Sequence, residues 1–304
     1  MKKILLLFLF WGTIAHAQQS LQERLGYAKN AKLLIIHADD LGVAHSENEA
    51  SFYALEKGSV NSASIMVPCP WFPEVAAYAA AHPKTDFGLH LTLTSEWNFF
   101  KWGPGAGKEA VPGLANAYGY FFASVDSVIK AAAATEVEKE LRAQIERAKQ
   151  AGVDFTHLDS HMGTLYSSKE YLQVALKLGK EYKVPVMLNQ QILKGTGTTV
   201  DETAVVINDI YVENPQNFAQ GAEAYYTGIL QSLQPGVHEI ILHAAYDNSE
   251  MQAITTGHPD YGAAWRQADF NFFTSELCKT LLQQNRIQLI TWREIRDKLV
   301  RKEK

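Results

Sequence analysis

The sequence predicts an α/β protein folded as a single domain, a TIM-like (β/α) barrel that is complete or distorted. The 304-residue chain is long enough for one large α/β domain. Apolar or alternating runs typical of strands recur along it, and most are separated by stretches with helical spacing. A doubly wound open sheet is the alternative. The predicted strands are 33–37, 62–67, 86–93, 155–159, 184–188, 204–212, 238–243 and 286–291.

The clearest helix is predicted at residues 135–152, "TEVEKELRAQIERAKQAG". Val137, Leu141, Ile145 and Ala148 recur at three- and four-residue spacing, and Gly152 ends the pattern. The connection 95–122 differs, because it is rich in Gly, Pro and aromatic residues and is too long for an ordinary loop. No repeat, charge run or linker divides the chain, which favours one domain.

Residues 1–17, "MKKILLLFLFWGTIAHA", have the pattern of a secretory signal peptide. Two lysines precede an apolar run at 4–11, and a small-x-small ending follows at Ala15 and Ala17. The run is much shorter than the roughly 20 apolar residues of a membrane anchor, and no cysteine follows it for lipid attachment. We therefore expect cleavage after Ala17, a periplasmic or secreted protein, and a single mature domain at 18–304.

Charge and cysteine content narrow the function classes. The formal net charge is −5 and no basic cluster is present, which makes nucleic acid and anionic membrane surfaces poor partners. Cys69 and Cys278 are the only cysteines, so neither a disulfide framework nor a cysteine-based metal site is expected. Their pairing and the oligomeric state stay open.

The segment "LLIIHADDLGVAHSENEA", residues 33–50, places His37, Asp39, Asp40 and Gly42 at the end of an aliphatic strand. Adjacent carboxylates raise the cost of ionising each other. Either they are solvated turn or helix-capping residues, or a cation lies between them. A cation bound by Asp40 would stabilise both carboxylates and leave Asp39 as a base beside a coordinated water.

Histidines fall near the ends of other predicted strands. In "FGLHLTLT", His90 lies on the face opposite the leucines, and in "THLDSHMG", His157, Asp159 and His161 alternate onto one face. His243 closes "HEIILHA". Because active sites of barrels lie at the carboxyl ends of the strands, we expect these residues and the aspartate pair to share one rim.

Two imidazoles and a carboxylate are a common ligand set for a divalent metal that keeps positions open for water and substrate. Imidazole ligands favour Zn²⁺, whereas Mg²⁺ prefers oxygen. Structural alternatives exist for each residue. His90 alone could be a satisfied interior histidine, the 157–161 trio a buried polar network, and His243 a loop-bonding residue. Their convergence on one rim favours a functional site.

Six motifs follow one another along the chain: "HADDLG" (37–42), "NSASIMVPCPWFPE" (61–74), "FGLHLTLT" (87–94), "THLDSHMG" (156–163), "PGVHEIILHAA" (235–245) and "IQLITWREI" (287–295). As an ordered set they resemble the YdjC-like carbohydrate deacetylases, which include chitooligosaccharide deacetylases. The resemblance covers most of residues 18–304. It implies a distorted (β/α) barrel, one divalent metal ion, Mg²⁺ or Zn²⁺, and removal of acetyl groups from a small N-acetylated sugar.

The same resemblance implies a role for each residue at the predicted rim. Asp39 matches the general base. Asp40, His90 and His161 match the metal ligands. His243 matches the general acid or oxyanion partner, so that a water activated by Asp39 would attack an acetamide carbonyl and release acetate and a free amine.

His157 or Asp159 is expected to orient a ligand imidazole through its second nitrogen. The chain also departs from the family pattern near the expected substrate pocket. His37 stands where Asn or a comparable residue is usual, Met162 and Gly163 stand where further histidines often follow, and Ala244 stands where proline is usual.

The aromatic connection 95–122 is the expected place for substrate specificity, because long loops at the carboxyl ends of barrel strands shape the pocket. Trp97 and Trp102 are predicted to stack on sugar rings. Packing of the loop onto the barrel is an equally good explanation of these rings. The aromatic residues are Trp97, Phe99, Phe100, Trp102, Tyr118, Tyr120, Phe121 and Phe122.

Three functions are compatible with the sequence. A secreted metal-dependent sugar deacetylase accounts for the most residues. A non-catalytic carbohydrate-binding protein explains the aromatics but not the acid pair and histidines at strand ends. Another metal hydrolase on a similar barrel, acting on a phosphoester or a different amide, is the third.

Overall fold

A computed structural model describes residues 19–302, so the predicted signal peptide lies outside the described residues. The strands are β1 (Lys32–Leu41), β2 (Ser62–Ile65), β3 (Phe87–Leu91), β4 (Leu158–Ser160), β5 (Asp209–Val212), β6 (Gly236–Leu242) and β7 (Ile287–Leu289). They pair in parallel in the order β4-β3-β2-β1-β6-β5, and β7 pairs with the first three residues of β1. The fold is therefore α/β, with a curled sheet of half-barrel form.

Seven of the eight predicted strands form, and the one predicted at 184–188 does not. It is reduced to a single bridge between Val186 and Leu158, because Pro185 has no N–H to donate to a ladder. A second single bridge joins Asn189 to Ile207. Within residues 19–302 the sheet is therefore a curled half-barrel, and the regular eight-stranded barrel, one of the predicted alternatives, is not formed.

Helices pack on the outer face of the sheet. The predicted helix at 135–152 is confirmed, with Val137, Leu141, Ile145 and Ala148 buried along one stripe. The helices are α1 (Leu21–Arg24), α2 (His45–Lys57), α3 (Phe72–Ala81), α4 (Val125–Ala131), α5 (Ala134–Gln150), α6 (Lys169–Tyr182), α7 (Gln190–Thr196), α8 (Pro215–Gln220), α9 (Ala222–Ser232), α10 (Ser249–Ile254), α11 (Ala263–Phe273), α12 (Glu276–Gln284) and α13 (Trp292–Ile295), with 3₁₀ turns at Pro112–Leu114 and His161–Ser167 and a π-helical turn at Arg296–Arg301.

The central strand β1 is buried on both faces, which explains its continuous aliphatic sequence. Leu34 and Ile36 face the core under the helices. Leu33 and Ile35 face inward, where they pack in a second cluster with Val237 of β6. The inner face thus has an apolar floor, and the residues that follow on this face of β1 and β6 lie above it.

Cys69 and Cys278 are both buried, and no disulfide joins them in this structure. Among residues 19–302, no helix combines the length and the apolar character that crossing a membrane requires.

Candidate metal centre and active site

A β-bulge at the carboxyl end of β1 brings both aspartates to the same side of the sheet. In a regular strand, adjacent side chains point to opposite faces, and Asp39 and Asp40 would be separated. The pairing of β1 with β2 shifts between Ala38 and Leu41, so β1 carries one extra residue there. Asp40 lies in this bulge and has a left-handed backbone conformation, with φ of 67°. Both carboxylates therefore line one pocket.

The predicted metal ligands converge beside this bulge. Asp40 Oδ1 lies 3.4 Å from His90 Nε2 and 3.2 Å from His161 Nδ1, and these three atoms lie within 4.8 Å of one another. All three side chains are buried. Asp40 Oδ1 nevertheless accepts no well-formed hydrogen bond, which is unusual for a buried carboxylate oxygen. One carboxylate oxygen and two imidazole nitrogens placed in this way fit a divalent cation.

We call Asp40, His90 and His161 the trio. Each of its two imidazoles is held by a carboxylate through the other ring nitrogen. His90 Nδ1 donates to Asp159 Oδ1 at 2.7 Å, and His161 Nε2 donates to Glu96 Oε2 at 3.0 Å. When the rings are neutral, these bonds leave the lone pairs of His90 Nε2 and His161 Nδ1 to face Asp40, as metal-binding histidines require. Burial alone would lower the pKa of His161, but Glu96 and Asp40 raise it to about 9. Cation binding must therefore displace a proton from this ring.

Arg266, on α11, holds the second oxygen of Asp40. Its guanidinium donates to Asp40 Oδ2 at 2.8 Å and to Glu47 Oε2 at 2.6 Å, and Nε donates to the carbonyl of Tyr261 at 2.7 Å. Burial alone would raise the pKa of the Asp40 carboxyl, but the Arg266 charge and the two imidazoles hold it well below its usual range. Asp40 is therefore an ionised carboxylate with one oxygen fixed and one directed at the histidines.

Two other groups of potential ligands share Asp159 and are less suitable. They are Asp39 with His90 and Asp159, and His37 with His157 and Asp159. Both oxygens of Asp159 already accept hydrogen bonds, Oδ1 from His90 Nδ1 at 2.7 Å and Oδ2 from His37 Nε2 at 3.1 Å. Asp159 is thus placed to support the trio, and its role as the orienting residue stays a prediction.

His157, the other candidate for this orienting role, lies deeper in the interior. Its Nδ1 lies 2.9 Å from the hydroxyl of Thr156, and its ring stacks on Trp292 with centroids 5.1 Å apart. Its Nε2 is 3.6 Å from Asp159 Oδ2. Any influence of His157 on the trio therefore passes through Asp159.

Asp39 lies beside the trio with one oxygen held and one oxygen directed at the pocket. Ser64 Oγ donates to Asp39 Oδ1 at 3.1 Å, and His37 Nε2 lies 2.9 Å from the same oxygen. Asp39 Oδ2 is 3.7 Å from His90 Nε2. This arrangement suits an oxygen that accepts a proton close to the metal-binding atoms.

His243 lies at the end of β6, across the pocket from Asp39. Its backbone N–H donates to Asp269 Oδ2 at 2.9 Å, and its ring contacts Tyr261 edge-on with centroids 5.3 Å apart. The ring is only partly buried and lines the pocket. Removal from water, together with the positive charge of Arg266, lowers the pKa of His243 to about 4. Its imidazole is therefore neutral near pH 7.

The pocket over these residues has a volume of about 910 Å³, which is large enough for a sugar of more than one ring. Trp97 lines it, is 2 % exposed, and lies under the guanidinium of Arg266, 5.3 Å from the ring centroid. Trp102 is not one of the lining residues. Its indole N–H donates to the Thr94 carbonyl at 2.8 Å, and it packs edge-on against Trp97. Stacking on a sugar stays a prediction for both, and this placement favours Trp97.

Sequence reasoning missed the charged residues that hold the site from the helices and loops. Arg266 and Asp269 are three residues apart on the buried stripe of α11, and Glu47 is buried on α2. A signal was available, because charged residues on an otherwise apolar helical face need a buried partner. Glu96 carried no such pattern, because it lies in the irregular segment that follows β3.

Known proteins resemble this chain over most of its length. A profile of the family described as "YdjC-like protein" matches residues 33–284. A "Carbohydrate deacetylase" of Thermus thermophilus is 31 % identical over 288 residues, which cover 92 % of this chain and 99 % of the relative. A protein of the same name from Brevibacillus brevis is 30 % identical over 262 residues, covering 86 % of this chain and 99 % of the relative.

Solved structures give the same picture of the fold. A crystal structure of an Enterococcus faecalis protein, described as a candidate cellobiose-phosphate cleavage protein, superimposes with a TM-score of 0.73 at 24 % sequence identity. The match covers 87 % of this chain and 99 % of that one. At this identity the likeness concerns the fold alone, and it agrees with the profile and with the two full-length relatives. The chain belongs to the YdjC-like family.

Proposed function

We propose that the protein is a metal-dependent carbohydrate deacetylase that removes acetyl groups from N-acetylated sugars of the chitooligosaccharide type. One observation carries this proposal. The free oxygen of the buried Asp40 faces His90 Nε2 and His161 Nδ1 at the base of a pocket of about 910 Å³. The names of the Thermus thermophilus and Brevibacillus brevis relatives support the same activity.

Asp40, His90 and His161 would hold one divalent ion, Zn²⁺ or Mg²⁺. Such an ion, when bound, polarises the carbonyl of an acyl group and lowers the pKa of a water molecule in its coordination shell. The protein supplies the orientation of the ligands. Asp159 and Glu96 fix the two rings through their distal nitrogens, and Arg266 occupies the oxygen of Asp40 that faces away from them.

Asp39 accepts the proton of the attacking water at Oδ2. Its Oδ1 is already engaged by Ser64 and lies against His37, so Oδ2 is the oxygen that faces the pocket. Water adds its oxygen to the acetamide carbonyl, the C–N bond breaks, and the proton goes to the leaving nitrogen. Acetate and a glucosamine unit are the products.

His243 contributes a hydrogen bond to the reacting group from the opposite wall. Because its pKa is lowered to about 4, the neutral ring is the form present when substrate binds. A neutral imidazole N–H can stabilise a developing oxyanion, and this is the role we favour over that of a pre-protonated acid. Asp269 fixes the backbone beneath the ring.

The decisive experiment is acetate release from a panel of N-acetylated and O-acetylated sugars, with and without a chelator. We expect release from N-acetylglucosamine oligomers, loss of activity on chelation, and recovery on addition of Zn²⁺ or Mg²⁺. Binding of the sugars without any acetate release would favour a carbohydrate-binding protein instead. Hydrolysis of phosphoesters or unrelated amides in the absence of acetate release would favour another metal hydrolase.

We also propose a periplasmic or secreted location, which rests on the pattern of residues 1–17. Amino-terminal sequencing of the protein from a bacterial expression host tests it. A mature chain beginning at Gln18 in the periplasm or medium is the expected result, and an uncleaved chain in the cytoplasm contradicts it.

A further inference from the structure

We propose that His37 is a positioning residue that fixes the carboxylate of Asp39 and ties it to the support of a metal-binding histidine. The inference rests on the proposed function, because it assigns Asp39 as the base. It concerns a fully buried residue of β1.

The ring of His37 lies between two carboxylates in the interior. His37 is two residues before Asp39 on the inner face of β1 and is fully buried. Its Nε2 lies 2.9 Å from Asp39 Oδ1 and donates to Asp159 Oδ2 at 3.1 Å. Ionised carboxylates only accept hydrogen bonds, so the geometry requires the proton on Nε2.

The contact with His37 Nε2 determines which oxygen of Asp39 can accept a proton. Rotation of a carboxylate about its last side-chain bond is broad and roughly two-fold, so an unrestrained Asp39 could exchange its oxygens. Ser64 Oγ and His37 Nε2 both engage Oδ1. Together they leave Oδ2 toward the pocket and restrict the exchange.

The same ring joins Asp39 to the ligand shell. Asp159 accepts from His37 on Oδ2 and from His90 on Oδ1. On the opposite side, His37 Nδ1 lies 2.9 Å from Ser62 Oγ on the neighbouring strand, which sets the plane of the ring. A displacement of His37 would therefore reach both Asp39 and His90.

Side-chain length provides the test. The amide nitrogen of Asn reaches about as far as Nδ1 of histidine, so His37→Asn would lose the contacts with Asp39 and Asp159. The longer Gln can place its amide nitrogen near the position of Nε2. His238→Asn is a matched control, because His238 is also buried, on β6, but bonds to the carbonyl of Gln234 outside the pocket.

We would measure kcat and KM for acetate release, metal content and melting temperature for the wild type and the three variants. His37→Asn should lower kcat roughly 10-fold or more with KM and metal content close to the wild-type values. His37→Gln should recover most of that loss, and His238→Asn should change melting temperature only. Wild-type kcat in His37→Asn, or equal losses in the Asn and Gln variants, would overturn the proposal.

A second measurement needs neither turnover nor a His37 variant. In the imidazole nitrogen NMR spectrum, His37 Nε2 should have the shift of a protonated nitrogen, and that resonance should move in Asp39→Asn. An unprotonated Nε2, or a resonance insensitive to Asp39→Asn, contradicts the positioning role. A wild-type protein that releases no acetate contradicts the proposed function instead, so the two failures are distinguishable.

Discussion

Asp39 and Asp40 are chemically identical neighbours that differ in what holds their oxygens. Asp40 has one oxygen fixed by Arg266 and the other free toward two imidazoles. Asp39 lines the pocket and has one oxygen engaged by Ser64 and the other 3.7 Å from His90 Nε2. The division of labour that we propose, with Asp40 as a ligand and Asp39 as a base, therefore comes from their surroundings.

Substitution by Asn separates the two roles. Asp39→Asn keeps the shape but cannot accept a proton, so turnover should fall roughly 10²-fold or more while the metal stays bound. Asp40→Asn weakens a ligand, so metal content and turnover should fall together. Elemental analysis beside initial rates measures both.

A capping role for the pair gives a different result. Loss of a helix cap costs about 1 kcal/mol of stability and leaves turnover in the folded fraction nearly normal. Folded, metal-loaded Asp39→Asn that deacetylates an N-acetylglucosamine oligomer at the wild-type rate would refute the assignment of Asp39 as the base.

At the scale of elements, the turn that follows β4 is strained where it borders the pocket. Met162 and Gly163 adopt left-handed conformations, with φ of 51° and 63°. Glycine does so freely, but a methionine pays a steric penalty. Met162 is also 45 % exposed and lines the pocket directly after the predicted ligand His161. Strain of this kind persists where the surrounding structure over-determines the backbone.

Met162→Asn should relieve this strain, because asparagine tolerates the left-handed region. We expect a melting temperature about 2 °C higher and an altered KM, since the side chain borders the substrate. Lys183→Asn is the control. Lys183 is also left-handed, with φ of 54°, but it does not line the pocket. An equal change of KM in both variants would contradict a specific contact between Met162 and the substrate.

The aromatic loop gives a second prediction for an element. Trp97→Ala should raise KM, up to about tenfold, with the metal retained, because Trp97 borders the pocket. Trp102→Ala should mainly lower stability, by about 3–5 kcal/mol, because its ring is buried and its N–H is bonded to Thr94. Unchanged KM in Trp97→Ala with a lowered melting temperature would assign both rings to packing.

For the whole molecule, metal binding and stability should be linked. The trio joins the ends of β1, β3 and β4, so an ion held there would cross-link three parts of the sheet. A ligand at about 100 times its Kd stabilises a protein by about 2.7 kcal/mol. Chelation should therefore lower the melting temperature by about 5 °C or more. His90→Ala and His161→Ala should lose both the bound ion and this shift, and retention of either would contradict the ligand assignment.

The sequence predicted the parts of the site that follow strand periodicity. Asp39, His90, His161 and His243 lie at or near strand ends, where alternation and the barrel rule place their side chains. Arg266 could not be assigned in the same way, because its contact with Asp40 joins residues 226 positions apart. The strand predicted at 184–188 does not form because Pro185 interrupts its hydrogen bonds. The apolar pattern of this run does not show how strongly a proline will interrupt a ladder.

The bulge in β1 makes the site sensitive to chain length as well as to chemistry. Deleting one residue at Asp39 or Asp40 would let β1 pair with β2 without interruption and would leave Leu41 opposite Ile65, where it already lies. Only one carboxylate would then remain at the pocket, while Leu41 would stay in the core. Deletion would therefore remove a carboxylate and the bulge together, whereas a substitution would leave the bulge in place. A search for related enzymes should treat the spacing between strand and turn as part of the motif.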